Sequence, residues 1–342
     1  MDDFALTLGT VIASTLRVST PLILCALAGT LSERSGVIDL GLEGKMLATA
    51  FCAASVAVAT GSLVLAVAAA IALGIALSML HGFACVSHRG DQVVLGMAIT
   101  MTAAGLTVVL GIAWFKQGGQ TPPIPDSVRL DAWFTSLGAA FSKIPLVGPV
   151  VGGLFGHTAL VYLALALVAL VWWLLYRTRL GLRLRATGEN PAMVDAAGVS
   201  VLGMRYLALA GNGVLAALAG CYLVLALNPQ FIPNMTAGRG YMALAAMIFG
   251  KWHPVGALLA CLLFGFLDAL AIRLQGAALP GWLEFYNWHR PHGPLPGWLG
   301  GGAVPVQAMQ ALPYVLTVVL LAGFIGRAYA PKALGTPYVK ER

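Results

Sequence analysis

Acidic and basic side chains alternate with apolar residues across the stretch 32–46, which holds Glu33, Arg34, Asp39, Glu43 and Lys45 together with Gly36, Gly41 and Gly44. A long apolar run follows at once. Ionisable groups are expensive in lipid and are kept where they face a bundle interior or a water-filled path. Two readings stand. In one, this is a surface loop whose Asp39 or Glu43 caps the next helix. In the other it is a broken helix start whose exposed backbone lines a path, to which Asp39, Gly41 and Glu43 then belong. A second polar set, Asp91, Asn212, Asn228, Asn234, Asp268 and Arg273, is scattered through or beside apolar segments. Structural ion pairs and interhelical hydrogen bonds explain such residues as readily as substrate contacts do. Asp268 can pair with Arg273 if their helical faces agree; Asn212, Asn234 and Asp268 join the candidate path, with Asn212 the strongest by pattern.

The longest charged stretch between apolar runs, 177–205, carries Arg177, Arg179, Arg183, Arg185 and Arg205 against Glu189 and Asp195. Gly188 and Asn190 break a helix and Pro191 can start one, so a short helix is expected over 191–197. Its apolar residues, held outside the membrane by flanking arginines, suit either a loop packed on its own bundle or a docking surface for a partner protein. The stretch is longer and more patterned than a connection needs.

Nothing in the chain points to catalysis. There is no phosphate-binding G-x-x-x-x-G-K-[ST] loop, no H-E-x-x-H and no G-x-S-x-G. No metal site is expected: Cys25, Cys52, Cys85, Cys221 and Cys261 show no C-x-x-C spacing, and His289 and His292 sit among prolines that disfavour a regular ligand helix. Any ATP-driven work must be done by another chain.

The elements that carry these residues follow from composition. Of 342 residues, 59% are hydrophobic and 10% charged, and the mean hydropathy is +0.86. A soluble domain has about a quarter of its residues charged, so an integral membrane protein is the expectation. The net charge of +7 lies in short gaps between apolar runs and forms no nucleic-acid-binding stripe. With about 20 apolar residues per crossing, spans are expected near 8–29, as a hairpin from about 37 to 80, and at 91–113, 157–176, 206–227, 240–250, 255–273 and 311–326. The fold class is thus all-α, a polytopic transmembrane bundle of nine crossings in one domain, 1–342. The basic stretches 177–205 and 327–342 are expected on the cytoplasmic side. Residues 114–156 and the aromatic, proline-rich loop 281–306 then face outward, and the C-terminus is cytoplasmic.

Several ordered segments carry a family resemblance: 33–44, 181–191 continuing into Ala196-Ala197-Gly198, 238–245, 248–254 and 334–337. Together they resemble the inner-membrane permease subunits of bacterial ABC importers in the ribose, simple-sugar and branched-chain amino-acid group, closest to the nucleoside or purine branch. The resemblance implies about ten helices with a broken second helix beside the path. It implies partners: cytoplasmic ATPase subunits using ATP and Mg, a second permease chain in a homo- or heterodimer, and an extracytoplasmic substrate-binding protein. Cofactors in this chain would be none. The stretch 177–205 would be the coupling loop, placing Arg183, Arg185, Gly188, Glu189, Asn190 and Pro191 against the ATPase. Loop 281–306 is longer than the family pattern.

Overall fold

The computed structural model describes residues 2–130, 148–274, positions 311, 315 and 319, and 329–340. Eleven α-helices lie among the described residues, numbered here in chain order: α1 (Asp2–Arg34), α2 (Leu42–Thr60), α3 (Leu63–Gly82), α4 (Gln92–Phe115), α5 (Gly148–Leu154), α6 (Ala159–Arg177), α7 (Arg179–Glu189), α8 (Pro191–Ala196), α9 (Val201–Tyr222), α10 (Arg239–Phe249) and α11 (Pro254–Leu274).

The all-α expectation stands, but the span count does not. Seven helices among the described residues are long and apolar enough to cross a bilayer, with spans at Thr7–Arg34, Leu42–Thr60, Leu63–Ser87, Gln92–Phe115, Ala159–Arg177, Val201–Leu227 and Pro254–Arg273. The expected crossing at 240–250 is only the 11-residue α10. At 1.5 Å per residue it covers about half of a 30 Å hydrocarbon core. The expected crossing at 311–326 and the loop 281–306, with His289 and His292, lie outside the described residues.

The second helix is also not broken. The chain leaves α1 at Arg34, runs through an irregular segment, and enters an uninterrupted α2 at Leu42. The departures from regular α geometry are instead π turns fused to the third and ninth helices, at Phe83–Ser87 and Leu223–Leu227.

Helix α9 is the centre of the bundle, with 78% of the residues in its 18-residue apolar stretch buried, and packs against α1, α2 and α3. Its glycines permit close approach: a Cβ at Gly213 would meet the α3 backbone at Ile75 Cα, 2.9 Å away, and one at Gly220 would meet the Met46 carbonyl of α2 at 2.6 Å. Helix α1 continues through Pro21. Proline has no N–H, so the Arg17 carbonyl four residues earlier loses its helical donor. The Tyr222 hydroxyl of α9 donates to that carbonyl at 3.0 Å. By contrast α3 and α4 are each only 22% buried and present large apolar side chains such as Val64, Met101 and Val109 outward.

One end of the bundle gathers the basic residues. There Arg34 Nε donates to the Trp252 carbonyl at 2.9 Å, the Ala333 N–H donates to the Gly188 carbonyl at 2.8 Å, and the Gly335 N–H reaches the Gly36 carbonyl at 3.1 Å. The residues following Phe115 pair with those following α9 at the opposite end, through Thr121 N to Phe231 O at 3.2 Å and Ile124 N to Pro229 O at 2.7 Å.

Candidate functional site

The irregular segment between α1 and α2 carries a buried ionic cluster. Asp39 and Lys45 are both fully buried, and Lys45 Nζ donates to Asp39 Oδ2 at 2.5 Å. The other carboxylate oxygen accepts the Gly41 N–H at 3.0 Å and faces His81 Nδ1 at 3.9 Å. His81 Nε2 lies 3.1 Å from the Ile38 carbonyl, so this nitrogen is the donor. Burial alone would push the Asp39 carboxyl up; the Lys45 ammonium, His81 and the Gly41 N–H outweigh it and hold the carboxyl below its ordinary value.

Asn212 joins the cluster to three helices. Its amide oxygen accepts from Lys45 Nζ at 3.2 Å and Ser78 Oγ at 3.1 Å, and its amide nitrogen donates to the Ala28 carbonyl at 3.1 Å and Ser32 Oγ at 3.3 Å. Members therefore come from α1, α2, α3 and α9, which meet only in the folded bundle.

Glu43 does something different. Its two carboxylate oxygens accept the Gly238 N–H at 2.8 Å and the Gly240 N–H at 2.6 Å, at the start of α10. A carboxylate there meets unpaired amides and the positive end of the helix dipole. The approach demands glycine: a Cβ at Gly240 would lie 2.6 Å from Glu43 Cα, and Gly238 has φ +79°. Through this contact α2 fixes where the half-length helix begins.

The remaining expected path residues lie elsewhere. Asn234 is exposed in a turn with φ +56°. Asp268 is half-buried on α11 and makes no ion pair with Arg273. The two positions are five apart, about 140° around a helix, and Arg273 instead donates to the Thr7 carbonyl at 3.3 Å and to Thr10 Oγ1.

The stretch 177–205 forms two helices where a loop with one short helix was expected. Asn190 caps α8 by accepting the Met193 N–H at 3.2 Å, with Pro191 at its first position. Helix α8 runs Pro191–Ala196, within the expected 191–197. Arg183 and Glu189 are exposed. Arg185 is partly buried with its guanidinium carbon 4.6 Å from the Tyr176 ring centre. Gly188 is buried against the Arg34 carbonyl. A surface groove of about 530 Å³ between α7 and α8 is lined by Leu182, Arg183, Glu189, Asn190 and Met193 among others.

Sequence reasoning named Lys45 and Arg205 among the charges without giving either a site role, and did not single out Ser78, His81 or Trp252. Trp252 Nε1 donates to the buried Glu33 at 2.6 Å, while Arg205 is buried beside Gly36 with Nε and Nη2 unbonded among the described residues. For Lys45 a signal existed. A lysine at the fourth position of an apolar helix needs a nearby carboxylate, and Asp39 was six residues away.

No group of three His, Cys, Asp or Glu able to hold a metal occurs among the described residues. The fold and the site thus define a polytopic helical protein whose candidate membrane spans meet at a buried ionic and polar cluster. Residues 11–321 match the family described as branched-chain amino acid transport system / permease component, and the chain belongs to that family. It is the permease subunit of an ABC-type importer for a small polar solute. It is similar to the guanosine ABC transporter permease NupQ of Bacillus subtilis, 36% identical over 99% of both chains. It is also similar to the nucleoside ABC transporter permease NupC of Lactococcus lactis, 35% identical over 98% of both. TsgC13 of Haloferax volcanii, assigned provisionally to glucose, is 36% identical over 96% of this chain and 97% of its own.

Proposed function

We propose that this chain forms the membrane path for a nucleoside, working with a second permease chain, cytoplasmic ATPase subunits and an extracytoplasmic binding protein. The observation that carries the substrate class is full-length similarity to two permeases named for guanosine and for nucleosides. The equal identity to TsgC13 favours the second reading, a simple sugar.

Orientation follows from the basic end: Arg34, Arg89, Arg179, Arg183, Lys332 and Lys340 face the cytoplasm, and the C-terminus with them. The groove between α7 and α8 receives an ATPase subunit. Arg183, Glu189 and Asn190 form its surface and Pro191 starts the helix beside it, while Arg185 and Gly188 tie it to the bundle. Asp39, Gly41, Glu43 and Asn212 act by positioning the helices around the path; their hydrogen-bonding capacity is already taken up within the protein, which supports that role. Asn234 and Asp268 lie outside this network and serve at the outer mouth of the path.

Uptake of labelled guanosine and ribose by cells with and without the chain tests the substrate class. Loss of guanosine uptake alone is expected; loss of ribose uptake alone selects the sugar reading and overturns the nucleoside one.

A further inference from the structure

A groove of about 560 Å³ lies between α2, α3 and α4, within the range of small-molecule sites. Its lining on α4 extends from Leu95 to Trp114, about 28 Å at 1.5 Å per residue, close to the thickness of the hydrocarbon core. One side is open, where Leu80, Leu106 and Trp114 are exposed.

Two features separate this groove from a bare apolar gap. The first is an aromatic shelf. Trp114 stacks on Phe51 with ring centres 5.8 Å apart and planes 22° apart, and Phe231 meets Phe51 edge-on at 5.1 Å. Phe231 is itself pinned by Thr121, whose Oγ1 accepts its N–H at 2.9 Å. Trp114 thus has a fixed ring behind it and 59% of its surface exposed. The second feature is an unused hydroxyl. Ser19, Thr30 and Thr49 each donate to the carbonyl four residues earlier at 2.7 Å, the usual retreat of a hydroxyl in an apolar helix. Ser55 lines the groove and is 8% exposed; its Oγ is buried just behind the wall and has no hydrogen-bond partner. It lies four residues from Phe51, on the same face of α2. His81 closes the cytoplasmic part of the lining, with an Nδ1 that also has no hydrogen-bond partner.

We infer that this groove carries the nucleobase of the transported solute, its flat face on Trp114 and its polar edge toward Ser55. The inference rests on the import reading above and adds the site and the basis of selection. A flat heteroaromatic ring gains from stacking whatever its identity, whereas ribose alone brings the same hydroxyls as a nucleoside without a flat ring to lay on the shelf. An acyl chain would have no use for Ser55 or for a held aromatic shelf.

Cys52 supplies a native reporter. It lines the groove and is half-buried, while the other four cysteines are buried. In membrane vesicles containing the assembled transporter, inosine should slow alkylation of Cys52 by a small thiol reagent, about fivefold at four-fifths occupancy. Ribose should leave the rate unchanged, and Cys52→Ser should abolish the signal. Trp114→Ala should remove the protection and lower inosine uptake about tenfold, with Trp114→Phe restoring both; Ser55→Ala should lower uptake about fivefold. Trp114 is exposed, so its replacement leaves the core intact. Equal protection by ribose overturns the inference, as does labelling that responds only to lipid extraction. So does an unprotected Cys52 in a transporter that imports inosine, which leaves the import reading standing. Undiminished inosine uptake in cells lacking the chain overturns the import reading itself.

Discussion

Lys45 reaches Asp39 from the first turn of α2, and neither charge has water to fall back on. Removing one partner of a buried pair leaves an uncompensated charge, at a cost of about 3–5 kcal/mol, whereas replacing both with neutral groups of similar size is far milder. Lys45→Met should therefore lower the thermal stability of the detergent-solubilised protein sharply, and Asp39→Asn with Lys45→Met should recover most of the loss. Equal destabilisation by the single and double variants would contradict the pairing. The pH dependence has a definite sign. Asp39 is held below its ordinary value, so the unfolded chain takes up its proton at a higher pH than the folded one. The stability this group contributes is full above the ordinary carboxylate value and disappears as pH falls through the folded value. Acid melting curves of the wild type should show a loss in that window that the double variant lacks.

At the scale of elements, α10 is too short to cross and depends on where α2 holds it. Glu43→Ala should cost about 3–6 kcal/mol through two charge-assisted hydrogen bonds and speed hydrogen exchange at Gly238 and Gly240. Unchanged exchange would remove Glu43 from this role. Much of this level was legible in sequence. Long apolar runs located the seven spans, and Gly188, Asn190 and Pro191 marked the start of α8. Asn212 stood out as a polar residue in an apolar run and became the hub of the buried cluster. What misled was local charge. Glycines and ionisable groups at 36–45 suggested a break within the second helix, yet tertiary partners on α3, α9 and α10 satisfy those charges, and the helix runs on. The π turns after α3 and α9 had no composition signal, since the same apolar residues serve either helix geometry. The span at 240–250 was counted because its hydropathy suffices where its length does not.

Across the whole molecule, the basic end joins the outer helices to the charged core. Gly188 binds the tail through Ala333, the tail binds Gly36 through Gly335, and Lys340 lies 3.6 Å from Asp195 on α8. Motion delivered to α7 and α8 has a packed route to the segment that carries Asp39. Arg185→Glu should lower transport and substrate-stimulated ATP hydrolysis by about an order of magnitude, the usual scale of coupling between sites, with solute capture by the binding protein unchanged. Gly188→Ala, whose Cβ would strike the Arg34 carbonyl, should do the same. Normal transport in both variants would refute the coupling role. The central claim is that this chain is the path of an ATP-driven nucleoside importer. It is tested most directly by guanosine entry into vesicles holding the purified complex, with ATP supplied on the cytoplasmic side. Entry that requires ATP hydrolysis and stops when this chain is omitted is the predicted result. Entry driven by an ion gradient without ATP, or persisting without the chain, would contradict it.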